Sequence, residues 1–414
     1  MEKDNFKVYG YRWIVLLAFM FIVAINQLLW ITFASITGDA AKFYGVSDLS
    51  IGLLSMSFMI VYIVVSIPAS WAIDTYGLRV AVGIGAALTG IFGLMRGLVA
   101  SNYTLVLIAQ IGIAIGQPFI LNAVTTVAAR WFPLRERATA SGLGSLAIYL
   151  GILLGLVLTP YLALHAGIGN MLVIYGIIAV VSAVLFFGFA KEHPPTPPCP
   201  AGMEVRSLVL DGLKQTFRER NFILLMIIFF VGLGAFNAVT TWIEDILRPR
   251  GFTSTQAGIA GGLMIAGGIL GALVLPSLSD RFRKRTPFII AAILGATLGL
   301  IGITYITGYW FLLVAAFIMG FFLLSAGPIG FQYGAEVTYP TPEGTSNGLL
   351  LLMGQISGIV FIFAMDSFKS PATGSMNTSL VVLIVLLVSC LLLGARLEEP
   401  KTLLTEQAGR QDNL

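Results

Sequence analysis

Ala69-Ser70-Trp71-Ala72-Ile73-Asp74-Thr75-Tyr76-Gly77-Leu78-Arg79 joins two long apolar runs, 49–72 and 78–99. A carboxylate closes the first run, a glycine allows a turn that side chains resist, and a basic residue opens the second. The segment reads as a tight hairpin between two apolar helices. A looser copy, Ser279-Asp280-Arg281-Phe282-Arg283-Lys284-Arg285, lies between the runs 254–279 and 286–307.

Working outward from these hairpins, twelve apolar runs cover the chain: 13–37, 49–72, 78–99, 103–130, 138–160, 170–190, 221–246, 254–279, 286–307, 309–334, 343–366 and 375–397. The 414 residues are 57% hydrophobic and 11% charged, with a mean hydropathy of +0.92. A soluble domain carries about 25% charged residues, and a bilayer core of about 30 Å takes roughly 20 apolar residues per helix. Only helices and closed barrels satisfy the backbone in lipid, and these runs are too long and too uniformly apolar for barrel strands. The fold class is therefore all-α integral membrane, with twelve transmembrane helices.

The basic residues set the threading. With the N-terminus in the cytoplasm, nineteen of the 24 Lys and Arg fall in cytoplasmic segments, and only Lys42, Arg96, Arg248, Arg250 and Lys369 fall on the other side. The positive-inside rule then puts both termini in the cytoplasm of a multi-pass cell-membrane protein. The formal charge of +4 reflects this threading and points to no nucleic-acid partner.

The longest gap, 191–220, opens with the stiff His193-Pro194-Pro195-Thr196-Pro197-Pro198 and continues into Ser207–Arg220, readable as a short amphipathic surface helix. It divides the chain into a six-helix bundle at 1–190, a cytoplasmic linker at 191–220, a second bundle at 221–397 and a cytoplasmic tail at 398–414. The bundles repeat at an offset of about 206 residues: Asp74 matches Asp280, Trp30 matches Phe236, and Pro133-x-x-Glu136 before Ser141-Gly142 matches Pro340-x-x-Glu343 before Asn347-Gly348. Two pseudo-symmetric halves are a layout of secondary transporters, which bind cargo near the midplane.

Two cysteines (Cys199, Cys390) and two histidines (His165, His193) give no disulfide framework and no metal cluster. The first run is too long for a secretory signal. No phosphate loop, zinc motif or nucleophile–base pair marks an enzyme, and no cofactor is implied. By these spans no Asp, Glu, Lys or Arg lies near the centre of a helix; Arg96 and Glu244-Asp245 fall near outward-facing ends, and Glu336 near a cytoplasmic end. That argues against a carrier built on a central carboxylate proton relay.

The hairpin at 69–79 resembles the loop 2–3 signature of the major facilitator superfamily. Phe43-Tyr44-Gly45-Val46-Ser47, Ala128-Ala129-Arg130-Trp131-Phe132-Pro133-Leu134-Arg135-Glu136 and Tyr333-Gly334-Ala335-Glu336-Val337-Thr338-Tyr339-Pro340-Thr341-Pro342-Glu343 through Gly348 are similar to the feline leukaemia virus subgroup C receptor-related family within it. The resemblance runs from about residue 10 to 395. It implies choline or ethanolamine as cargo, with haem proposed for some members and pyridoxine for a relative. It also implies that helices 1, 4, 7 and 10 line the cavity.

Neutral polar and aromatic residues populate those helices. By the resemblance, Trp30 stands at the family's choline-contacting aromatic, Gln117 at its helix 4 glutamine and Gln355 at its helix 11 glutamine. The helix 7 aromatic falls on Asn237, with Phe236 one residue earlier and about 100° away round the helix. The helix 5 amide pair falls on Ile148 and Tyr149. With Gln27 on the Trp30 face and Trp242 on helix 7, these make the candidate substrate set. An aromatic face suits a quaternary ammonium, which has no N–H to donate, and stacking would also hold a flat neutral ring. Each residue has a packing alternative: Trp30 and Phe236 against lipid or neighbouring helices, Gln117 and Gln355 as interhelical glue, Trp242 as an interfacial belt residue. Asp74, Gly77, Arg79, Asp280 and Arg281 form the candidate gating set, with topology and helix capping as the alternative. The expectation is a monomeric carrier in contact with membrane lipids, moving a small organic cation or zwitterion by alternating access. The open alternative is a carrier or exporter of a neutral or aromatic metabolite or haem, with or without proton coupling.

Overall fold

The computed structural model describes residues 8–196, 216–339, 341 and 343–400. The greater part of the linker, Cys199, residues 207–215 of the expected surface helix and the tail beyond 400 lie outside the described residues, as do Pro340 and the basic residues Lys3, Lys7, Arg206, Lys214, Lys401 and Arg410; of the rest of that expected helix, Phe217 and Arg218 form a turn and Arg220 begins the next long helix.

Among the described residues, twelve helices are long and apolar enough to cross a membrane. They are α1 (Arg12–Ile31), α2 (Asp48–Tyr76), α3 (Leu78–Leu98), α4 (Tyr103–Leu121, resumed at Val124–Trp131), α5 (Leu134–Ala166), α6 (Ile168–Phe189), α7 (Arg220–Thr241), α8 (Ser254–Phe282), α9 (Thr286–Tyr305), α10 (Tyr309–Val337), α11 (Glu343–Ser367) and α12 (Asn377–Gly394). The chain separates into two compact units, Met1–Arg206 and Ser207–Leu414.

The packing inside each unit repeats. In the first, α1 lies on α5, α2 on α4, and α3 on both α4 and α6; in the second, α7 lies on α11, α8 on α10, and α9 on both α10 and α12. Small residues permit the closest crossings. A Cβ on Gly271 of α8 would land on the Phe321 carbonyl, and one on Gly320 of α10 would land on the Met264 carbonyl, so α8 and α10 touch backbone to backbone.

Three runs read from hydropathy as single helices are broken. The first run ends as α1 at Ile31; the chain turns through residues 32–36 and restarts as a short helix, Thr37–Tyr44. The fourth breaks between Leu121 and Val124, just beyond Pro118, which has no N–H for the helical ladder. The seventh breaks at Trp242 and continues as Ile243–Leu247 and a 3₁₀ turn, Arg248–Arg250. The fifth run extends beyond both expected ends, from Leu134 to Ala166, and the second extends to Tyr76. Apolar continuity cannot register such breaks, because the polar bonds at them join different helices: Arg96 and Gln110 to the Leu29 carbonyl, Asn122 to Ser66 and Ser70, Trp242 to the Ile362 carbonyl.

The repeat extends to the loops. Gly45 and Gly251 both adopt left-handed backbone, at φ 66° and 83°. Ser47 caps α2 by accepting from the N–H of Ser50, and Thr253 caps α8 by accepting from that of Gln256.

Candidate functional site

In the first unit, Trp30 occupies the last turn of α1. It is 7% exposed and donates its indole N–H to the Ser55 carbonyl of α2 at 3.2 Å. The ring is thus held inside the helix packing rather than facing lipid. Gln27, one turn earlier, is also buried; its amide donates to Asn26 Oδ1 at 3.3 Å, and Asn26 donates to Thr89 Oγ1 of α3 at 3.1 Å.

The amides of α4 divide into two kinds. Gln110 is structural: it accepts from Arg96 Nη1 at 2.7 Å and donates to the Leu29 carbonyl at 3.2 Å. Asn122 is also structural. At the break in α4 it accepts from the Tyr62 hydroxyl at 2.8 Å and donates to Ser66 and Ser70, tying α4 to α2. Gln117 differs: it is 6% exposed yet its amide has no hydrogen-bond partner among the described residues. Tyr149 of α5, partly buried, likewise has no hydrogen-bond partner there. A buried amide in an apolar setting costs free energy unless it is bonded, so an uncommitted one is a place for a ligand or water.

In the second unit, Asn237 donates to the Gly354 carbonyl of α11 at 3.1 Å. The next residue, Gln355, is half-buried, and its amide is uncommitted among the described residues. Phe236 faces another way. It lines a small apolar cavity of about 40 Å³ with Phe229, Leu233, Ile293, Leu324 and Cys390, where α7, α9, α10 and α12 meet. Trp242 is fully buried and donates its indole N–H to the Ile362 carbonyl of α11 at 3.0 Å. Its N–H fastens the end of α7 to α11, and its burial keeps the ring from lipid.

The charged residues near the ends of α3 and α7 are buried, which their position in sequence did not reveal. Arg96 is 0% exposed. Asp245 is also 0% exposed; it pairs with Arg248 and, at 2.5 Å, with Lys369 beyond α11. Glu244, 3% exposed, pairs with Arg248 at 3.2 Å.

Around the hairpins, the expected gating residues are rearranged. Asp74 is exposed, without an ion-pair or hydrogen-bond partner among the described residues. Gly77 turns the chain at φ 89°, and a Cβ there would strike the Glu192 carboxylate. Glu192 accepts from the N–H groups of Leu78 and Arg79 at 2.8 and 2.7 Å and pairs with Arg130. The Arg79 guanidinium is exposed and, among the described residues, reaches only the Phe187 carbonyl, at 3.5 Å. In the second unit, Asp280 pairs with Arg285 at 2.5 Å rather than with the exposed Arg281, and Arg285 pairs with Glu336 at 3.0 Å. Burial alone would lower the pKa of Arg285, but its bonds to Glu336 and Asp280 outweigh burial and raise it. Glu399 accepts from the N–H groups of Arg285 and Thr286 at 3.0 Å each. Carboxylates at the N-termini of α3 and α9 therefore satisfy orphan donors and meet the positive end of the helix dipole.

Among the described residues no group of His, Cys, Asp or Glu could hold a metal ion. Sequence reasoning missed Arg96, Gln110, Glu192, Arg130 and Glu399. The repeat offset was the available signal for the last three, since it aligns Glu192 with the Glu398-Glu399 pair and Arg130 with Glu336.

Residues 13–362 match the profile of the Major Facilitator Superfamily. Solute carrier family 49 member A3 of Xenopus tropicalis is 31% identical, over 89% of this chain and 80% of its own. The human choline/ethanolamine transporter FLVCR2 is 30% identical, over 86% of this chain and 71% of its own. The fold is shared with a bacterial homologue of the human lysosomal transporter Spinster, at a TM-score of 0.75 and 18% identity, over 94% of this chain and 97% of that one. With twelve apolar helices in two repeated units and these relatives, the chain is a multi-pass membrane transporter, not an enzyme, and belongs to the Major Facilitator Superfamily, in the family that holds the solute carrier 49 proteins and the feline leukaemia virus subgroup C receptor-related transporters.

Proposed function

We propose that the protein carries a small organic cation or zwitterion of the choline and ethanolamine class by alternating access. The observation that carries this reading is the contrast between the committed indole of Trp30 and the amides of Gln117 and, in the second unit, of Gln355, which have no hydrogen-bond partner among the described residues. The indole is pinned through its N–H to Ser55, which fixes the ring plane, while the amides of Gln117 and Gln355 stay uncommitted. A fixed indole face attracts a cation, worth about 2 kcal/mol when desolvated. A free amide offers a carbonyl to an ammonium group and an N–H to a hydroxyl. Trp30, Gln27 and Gln117 serve recognition in the first unit, with Asn237 and Gln355 in the second. Phe236 and Trp242, committed to packing, take no part. The human relative named as a choline/ethanolamine transporter supports the cargo class.

No acid lies near the centre of the spans, so uptake driven by membrane potential fits better than obligate proton coupling. One charge crossing is worth about 2.3 kcal/mol per 100 mV. The excess of Lys and Arg in alternate loops supports cytoplasmic termini.

A thermal-shift series on the purified protein with choline, ethanolamine, betaine and pyridoxine tests the cargo class. Stabilisation by choline or ethanolamine, lost in Trp30→Ala, is the expected result. Stabilisation by pyridoxine alone would transfer the reading to flat neutral metabolites, which the same indole would stack.

A further inference from the structure

Arg96 is a fully buried guanidinium with no carboxylate partner among the described residues. Leaving so costly a group inside a membrane domain calls for a compensating role. Its contacts converge on the end of α1. Nη1 donates to the Leu29 carbonyl at 2.9 Å and to Gln110 Oε1 at 2.7 Å, Nη2 donates to Thr32 Oγ1 at 3.3 Å, and the guanidinium lies over the Phe33 ring at 5.6 Å from its centroid. Gln110 also donates to the Leu29 carbonyl, at 3.2 Å, while the Thr32 hydroxyl lies 2.9 Å from the Leu28 carbonyl and 3.2 Å from that of Leu29. Arg96 and Gln110 thus both serve one carbonyl that helix α1, ending at Ile31, releases from its ladder. The positive charge sits where the helix dipole is negative.

The residue after that carbonyl is Trp30. The second unit has no such clamp, because the repeat offset aligns Arg96 with Gly302 and Gln110 with Ala316. The break in α7 is held instead by Trp242 and the Asp245 ion pairs. We propose that Arg96, with Gln110, is a positioning residue: it holds the released end of α1 so that the Trp30 ring meets cargo in one orientation. Its consequence for affinity rests on the recognition role given to Trp30 above; the clamp itself does not.

Two measurements on the full chain separate these. The first is hydrogen–deuterium exchange of peptides covering residues 29–36 in Arg96→Gln, Arg96→Lys and Gln110→Leu. The clamp predicts faster exchange at 29–36 in Arg96→Gln, a smaller rise in Gln110→Leu, partial restoration in Arg96→Lys, and unchanged exchange in the interiors of α2 and α4. The second is labelled choline uptake into proteoliposomes. Arg96→Gln should raise KM about tenfold, the size expected for losing a charge-assisted bond, with the maximal rate within about twofold of wild type. Should Arg96→Gln fail to fold, Arg96→Lys and Gln110→Leu carry both measurements. Unchanged exchange at 29–36, or uniform loosening throughout the first unit, would overturn the clamp. A fall in maximal rate with KM unchanged would overturn its role in affinity. An unaffected Trp30→Ala would instead remove the recognition role of Trp30 and leave exchange to decide the clamp.

Discussion

Glu192 accepts a hydrogen bond at 2.7 Å from the backbone N–H of Arg79, and about 206 residues on Glu399 accepts one at 3.0 Å from that of Thr286. In each unit a carboxylate just past the sixth helix caps the third. The two caps occupy equivalent places although the charges around them differ: Arg130 stands beside the first, where the second unit has Glu336 bound to Arg285.

Removing these caps should destabilise each unit by a similar amount. Losing an N-terminal cap typically costs about 1 kcal/mol. Glu192→Ala and Glu399→Ala should each lower the melting temperature of the purified protein. Glu192→Gln should recover less than half of the loss, because an amide oxygen still accepts from the helix but cannot pair with Arg130. Equal stability of Glu192→Ala and wild type would show that the cap is redundant.

Asp245 should depend on having at least one cation. Lys369→Met leaves the Arg248 pair in place and should be mild, whereas Arg248→Met also removes the cation paired with buried Glu244 and should cost more. The double substitution takes both cations from a fully buried carboxylate, a change worth about 3–5 kcal/mol, and should sharply reduce folded yield. Adding Asp245→Asn should restore much of it. Additive losses in the double variant, with no rescue, would contradict the pairing.

The crossing of α8 and α10 should not tolerate a methyl group. Gly271→Ala and Gly320→Ala each push a Cβ into a carbonyl that cannot move without its helix, so neither should yield monodisperse protein by size-exclusion chromatography. Gly142→Ala, with nothing within 4 Å of the added atom, is the control and should behave as wild type.

Apolar run length and the placement of Lys and Arg made twelve spans and two repeated halves readable, because lipid leaves the backbone few options. The ends of those runs were not readable. Ile31 to Ile36 is as apolar as the residues before it, yet α1 stops there, with donors from α3 and α4 on the Leu29 carbonyl. Trp242 reads from sequence as a belt residue, since only the fold brings the Ile362 carbonyl to its indole. From sequence Asn122 reads as structural, and Gln117 and Gln355 read equally as cargo ligands or interhelical glue. Asn122 and Gln110 are joints, whereas the amides of Gln117 and Gln355 have no hydrogen-bond partner among the described residues.

The most direct test of a cation-recognising indole is uptake of labelled choline into proteoliposomes under an inside-negative potential, wild type against Trp30→Ala and Trp30→Phe. Wild type should concentrate choline by about tenfold for each roughly 60 mV of imposed potential. Trp30→Ala should raise KM roughly thirtyfold, the equivalent of about 2 kcal/mol, and Trp30→Phe should fall between. Uptake identical in all three proteins, or absent from wild type while a neutral metabolite is carried, would contradict it.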